Sequence, residues 1–271
     1  MIGHGTSRGC ISVMNGIVNG TGAVIGISLE TSADYEECGT EQKVIISGGD
    51  VIDDTLVRIC VRKTLNALGI DANKPYRVTV RSEIPPSRGL KSSSSVCNAV
   101  IKSVLDLYGR KMDPMDVVLL GVECAREAKV TITGSFDDAY GCEMGGFAIT
   151  DNTRDIVLRS EPFPKYDVVL CIPERTKKAV PKETYNAASP EMEEIGRTCE
   201  TDILAAMTMN GRLIAKITGE DPSTIDKALS MGALAAGISG TGPAVAIIAA
   251  KGDGKRIADR MECETIIAET R

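Results

Sequence analysis

The stretch from Tyr76 to Tyr108 constrains the fold of this chain more than any other. Tyr76 to Glu83 (YRVTVRSE) alternates apolar and polar residues with period two, the mark of a strand with one buried face. Ile84-Pro85-Pro86-Ser87-Arg88-Gly89-Leu90-Lys91 ends that alternation, because two prolines withhold their N–H groups and Gly89 tolerates left-handed backbone. Ser92-Ser93-Ser94-Ser95 follow, and a helical pattern runs from Val96 to Tyr108. The sequence therefore predicts a strand, a forced turn and a helix start. Unpaired backbone N–H groups at such a start favour an anion, and serine hydroxyls add donors or a magnesium ligand. A polar loop closed by a serine-rich helix cap is the plainer reading of the same residues.

Around this unit the chain mixes strands and helices. Ile11 to Leu29 reads as strand, turn, strand, and Lys43 to Ser47 as a further strand. Val51 to Leu68 is predicted helical from Val57, Val61, Leu65 and Leu68, with Gly69 as its C-terminal cap. Asp113-Pro114 caps and opens a helix running to about Ala128. Thr133 to Gly146 (TGSFDDAYGCEMGG) is expected to be a turn-rich acidic loop. Strands are expected near Phe147–Ile149, Ile156–Arg159 and Asp167–Ile172, then one long helical region from about Pro190 to Thr218. Asp221-Pro222 opens another helix, Gly237 to Ala250 reads as a glycine-rich turn and strand, and the C-terminus as helix then strand. No regular βαβ rhythm appears, which favours an α+β fold over a doubly wound sheet. Two lobes are expected, 1–150 and 151–271.

Composition excludes several function classes. Hydrophobic residues make up 43% and charged residues 25% of the 271, enough for a sizeable core. The net charge of −6, with three Phe, six Tyr and no Trp, argues against a nucleic-acid partner. No run is long and apolar enough to span a membrane, and Met1 to Gly20 lacks a basic leader with an apolar stretch, so a cytoplasmic protein is expected. Nine cysteines occur without a CxxC pair, which predicts reduced, mostly buried thiols. His4 is the sole histidine, which argues against a histidine-based triad or a histidine-rich zinc site. GxxxxGK[ST] is absent, and Gly20 to Gly26 lacks the spacing of a dinucleotide fingerprint.

Two further clusters carry chemistry. Asp137 and Asp138 lie ten and eleven residues after Glu127. Carboxylate and serine oxygens are hard ligands suited to phosphate-bound Mg²⁺, and a second carboxylate can orient or deprotonate a hydroxyl. A solvated acidic loop would look the same. Ser239-Gly240-Thr241-Gly242-Pro243-Ala244 permits close backbone approach to a ligand, as it permits a plain hairpin turn.

Taken together, these three clusters resemble the GHMP kinases, named for galactokinase and the homoserine, mevalonate and phosphomevalonate kinases. The family's phosphate loop, Pro-x-x-x-Gly-Leu-x-Ser-Ser-Ala/Ser, is matched by Pro85 to Ser94. Its glutamate-to-acid spacing is matched by Glu127 with Asp137 or Asp138, and its C-terminal glycine motif by Gly237 to Ala244. Gly-Leu-Lys-Ser-Ser-Ser (89–94), Thr-Gly-Ser-Phe-Asp-Asp-Ala (133–139) and Asn15 to Ala23 are similar to the archaeal shikimate kinase branch. Ser87 and Lys91 stand where many members of the family have glycine.

The resemblance implies a two-lobed fold and ATP with Mg²⁺ as cofactors. It implies transfer of the γ-phosphoryl group to shikimate, giving shikimate 3-phosphate for aromatic amino acid (chorismate) biosynthesis. Nucleotide would be held by Pro85, Pro86, Ser87, Arg88, Gly89, Leu90, Lys91, Ser92, Ser93, Ser94 and Ser95, with Gly240, Thr241 and Gly242. Ser93 (or Ser92) and Glu127 would hold the metal. Asp137 and Asp138 are the catalytic candidates, and the assignment between them stays open. Arg8, Arg88 and Arg154 are candidates for the substrate carboxylate. Homoserine kinase or another small-molecule kinase of the family, and a non-catalytic binding protein of the same fold, are the alternatives; a homodimer is allowed.

Overall fold

The computed structural model describes residues 1–47, 53–131, 134–176 and 179–271. β1 (Gly3–Met14) and β2 (Thr21–Glu36) form a long antiparallel hairpin, closed by a turn in which Gly20 takes a φ of 91°. β3 (Gln42–Ile46) leads to α1 (Thr55–Ala67), whose buried residues Val57, Cys60, Val61 and Leu65 recur at helical spacing. β4 (Tyr76–Ser82) runs parallel to β3 and antiparallel to β2. Then come α2 (Ser92–Leu107), α3 (Pro114–Glu127) and α4 (Phe136–Met144), followed by β5 (Phe147–Asp151) and β6 (Ile156–Glu161). Among the described residues these six strands make one sheet, ordered β3-β4-β2-β5-β6 with β1 on β2.

The second sheet holds β7 (Asp167–Ile172). After it come α5 (Lys182–Asn186), α6 (Ser189–Cys199), α7 (Ile203–Thr218) and α8 (Ser223–Ser230). β8 (Ala235–Ile238), β9 (Val245–Ala249), α9 (Gly254–Ala258) and β10 (Glu264–Glu269) complete the chain. This sheet is antiparallel, ordered β10-β7-β9-β8. The two sheets part between β6 and β7, beyond residue 150, and one apolar core joins them: Ile11, Ile25 and Phe147 of the first pack with Val169, Ile247 and Ile214 of the second half. A second core lies among α1, α2, α3 and β4.

α2 is the central helix. It lies so close against β1 that a Cβ on Gly3 or Gly5 would overlap the backbone of Ser103 or Ala99. That approach fixes the helix start, and with it the serines, relative to the first sheet. Asp113 caps α3 as expected, accepting from the Met115 N–H at 2.9 Å.

Two expectations are corrected. The acidic stretch is a helix rather than a loop: Phe136, Ala139 and Tyr140 bury one face of α4, and Gly145 at φ 71° ends it. The single long helix expected over 190–218 is two, because Asp202 leaves helical geometry and caps α7 by accepting from the Ala205 N–H at 2.9 Å. The expected helix start at Val51 lies outside the described residues, and α1 is helical from Thr55. The cysteines are free, and all but Cys38 and Cys263 are buried.

Candidate active site

The phosphate loop is shaped by alternate left-handed residues: Ser87 at φ 59°, Gly89 at φ 81° and Lys91 at φ 67°. Alternation of this kind turns backbone N–H groups into an anion-binding concavity, here leading straight into the unpaired N–H groups of α2. Gly89 serves two needs at once. Its φ suits glycine, and a Cβ there would overlap the Ser239 carbonyl oxygen.

The C-terminal glycine motif is the loop's support. Ser239 Oγ donates to the Gly89 carbonyl at 3.0 Å, and the Ala244 N–H donates to the Arg88 carbonyl at 3.1 Å. The Ser12 N–H donates to Ser239 Oγ at 3.3 Å, and the Gly240 N–H donates to Ser12 Oγ at 3.0 Å. β1, the phosphate loop and the β8–β9 turn are thereby tied at one point.

Opposite the loop stand the aspartates at the first turn of α4. Lys91 Nζ lies 2.8 Å from Asp138 Oδ1, both side chains being largely buried. Burial opposes the lysine charge, but the carboxylates of Asp138 and Asp137 outweigh it and raise the Lys91 pKa above its ordinary value. Asp137 is 5% exposed. Burial, and then the charge of Asp138, push its pKa up to about 7, against the opposing pull of Lys91 and of a hydrogen bond from Asn152.

These groups line one cleft of about 190 Å³, with Ser87, Gly89 to Ser94, Asp137 and Asp138, and Gly240 and Thr241 on its walls. A second cavity of about 690 Å³ shares Ser87, Ser92, Ser93 and Val130 with the first, and is otherwise walled largely by apolar groups including Leu56, Val57, Val80, Pro85 and Pro86. Ser92 and Ser93 thus line two neighbouring spaces, one polar and one largely apolar.

Several expected residues lie elsewhere. Ser95 is fully buried within α2, and neither it nor Arg88 nor Gly242 lines either space. The Arg88 guanidinium donates to the Arg175 carbonyl, and Gly242 closes the β8–β9 turn by donating to the Ser239 carbonyl at 3.0 Å. Glu127 sits at the end of α3 with its carboxylate paired to Arg62 and Lys63, and it is not among the residues lining the cleft. Arg8 pairs with Glu30 at 2.9 Å, and none of Arg8, Arg88 and Arg154 lines the cleft. Conversely, Asn15, Gly16, Ile17, Thr131, Ser135 and Asn152 line it without having been assigned a role from sequence. Asn15 and Gly16 belong to a stretch already noticed for its likeness, whereas Asn152, following β5, carries no local signal at all.

The comparisons agree with this geometry. The GHMP kinases N terminal domain matches residues 55–146, and the GHMP kinases C terminal domain matches residues 191–268. A shikimate kinase of Methanothrix thermoacetophila is 39% identical over 92% of this chain and 85% of its own length. One of Pyrococcus abyssi is 34% identical over 92% of each. The chain belongs to the GHMP kinases. Among solved GHMP kinase structures, Methanococcus jannaschii mevalonate kinase superposes with a TM-score of 0.78 at 16% identity, over 100% of this chain and 98% of that one. Homoserine kinase of Cytophaga hutchinsonii gives 0.72 at 17%, over 100% and 94%. These structural likenesses establish the GHMP kinase fold, which is α+β as the sequence predicted. No helix among the described residues is long and apolar enough to cross a membrane.

Proposed function

We propose that this GHMP kinase is a shikimate kinase, transferring the γ-phosphoryl group of ATP to a hydroxyl of shikimate. One observation carries the reading: the phosphate loop and the Asp137–Asp138 pair line one small cleft, in a chain whose relatives, matched over most of their length, are named shikimate kinases. The largely apolar space beside Ser92 and Ser93 takes the nucleoside. Backbone N–H groups from Gly89 to Ser93 hold the phosphates, and the γ-phosphate reaches into the polar cleft where the acceptor lies.

In-line attack forms a bond from the acceptor oxygen to the γ-phosphorus and breaks the bond to the β–γ bridging oxygen, releasing ADP. The hydroxyl proton passes to the Asp137 carboxylate, which is half ionised near pH 7. Lys91 stays protonated beside Asp138 and faces the developing negative charge.

The donor set suits Mg²⁺ in part. The hydroxyl oxygens of Ser92 and Ser93 on the wall of the cleft are hard donors of the kind Mg²⁺ takes. The Ser93 hydroxyl (or that of Ser92) would hold the ion, while Glu127 would have to leave its pairs with Arg62 and Lys63 to do so. When bound, the cation neutralises charge on the phosphates.

A coupled ADP-release assay with Mg-ATP, offering shikimate, L-homoserine and mevalonate in parallel, tests the proposal. Turnover of shikimate alone is expected. Turnover of homoserine instead would keep the phosphate site and overturn the substrate.

A further inference from the structure

Asp137 owes its geometry to one residue outside every motif. The Asn152 side chain, 3% exposed, donates through Nδ2 to Asp137 Oδ1 at 2.8 Å. Its Oδ1 accepts from the Asp137 backbone N–H at 3.0 Å and from Thr150 Oγ1 at 2.8 Å. Two donors on one atom fix which end of the amide faces which way, so Nδ2 can only point at the carboxylate. The Asn152 backbone is itself anchored, its N–H donating to the Gly20 carbonyl at 2.8 Å.

The surroundings are cut to this arrangement. A Cβ on Gly16 would overlap Asn152 Nδ2, and a Cβ on Gly22 would overlap Asp137 Oδ2. β2 therefore presents bare backbone to the carboxylate, and the hydrogen bond to Asn152 commits Oδ1. The charged groups facing Asp137 are Asp138 on α4 and Lys91 from the phosphate loop; the Cys10 thiol of β1 lies beyond, against the Asp138 carbonyl at 3.6 Å.

We infer that Asn152 is a positioning residue for phosphoryl transfer, fixing the Asp137 carboxylate through Oδ1 in the orientation that meets the acceptor hydroxyl. This rests on the assignment of Asp137 as the proton acceptor. The clamp does more than orient: a hydrogen bond donated to a carboxylate favours its ionised form. Asn152 therefore helps keep in the working range a base that burial pushes towards protonation.

The test uses Asn152→Asp, which keeps the shape, and Asn152→Leu, which removes both functions of the amide, with Asp137→Asn alongside. Both Asn152 variants are expected to lose about ten- to a hundredfold in kcat with the KM for ATP within about twofold of wild type. The acid limb of their kcat/KM profile should move to higher pH, because Asp137 loses a donor and, in Asn152→Asp, gains a carboxylate neighbour. If Asn152→Leu does not fold, Asn152→Asp decides alone. An unmoved acid limb with kcat within about twofold of wild type in Asn152→Asp overturns the inference. A fully active Asp137→Asn would instead overturn the assignment beneath it.

Discussion

At the scale of the residue, the site's chemistry comes from three buried charges sharing one pocket. Asp137, with a pKa of about 7, is more readily protonated than an ordinary carboxyl of about 4. Between those values the native carboxyl holds a proton that the unfolded chain has lost. Its contribution to stability is therefore present at the acid end and is lost as pH rises through about 7. Activity has the opposite sense, since Asp137, as the proposed base, works only when ionised, so kcat/KM should climb with pH to a plateau above about 7. Asp137→Asn is expected to lower kcat by about 10²- to 10⁴-fold while unfolding at a higher temperature than wild type at pH 8. Steady-state kinetics and thermal melts check the two halves separately. Lys91→Met strands Asp138 beside Asp137 and should destabilise the protein by about 3 kcal/mol, read from urea unfolding, while moving the acid limb to higher pH. Sequence brought both aspartates to notice as an acidic pair, and Lys91 through the likeness of its loop to a family. Asn152 stayed hidden, because its role exists only once the end of β5 is brought beside α4.

Among the elements, the phosphate loop is legible where backbone geometry dictates residue type. Gly89 is the clearest case, needing both left-handed backbone and an absent Cβ. Gly89→Ala should raise the KM for ATP at least tenfold or abolish turnover, in protein whose far-ultraviolet circular dichroism is unchanged. The N-cap of α3 was equally legible, as Asp113-Pro114 is a local signal. α4 was not read, although Phe136, Ala139 and Tyr140 have helical spacing, because Gly134, Gly141, Gly145 and Gly146 suggested turns. In the fold Gly141 lies inside the helix instead, where a Cβ would meet Val24 and Cys10. The break between α6 and α7 was likewise within reach, since Asp202 precedes an apolar helical run. Asp202→Ala should cost about 1 kcal/mol of stability by denaturant titration and leave turnover intact, since the cap lies outside the lining of the cleft.

In the whole molecule, the phosphate loop belongs to the first half of the chain and its support to the second. Ser239 and Ala244 bond directly to the loop backbone, while Ser12 on β1 bonds to Ser239 and Gly240. No local pattern announces a long-range tie of this kind; the C-terminal glycine motif became informative only through its likeness to a family. The α+β class was visible in the irregular order of strands and helices, whereas the sheet order, with β3 parallel to β4, depends on long-range pairing. On the proposed function, ATP phosphorylates shikimate in the cleft between loop and aspartates. Phosphorus NMR of shikimate and Mg-ATP incubated with wild type, Gly89→Ala and Asp137→Asn tests it most directly. A new phosphomonoester signal should grow with wild type and be slowed at least tenfold with either variant. Folded wild type that binds ATP yet forms no phosphomonoester, or variants that form it at the wild-type rate, would contradict the claim.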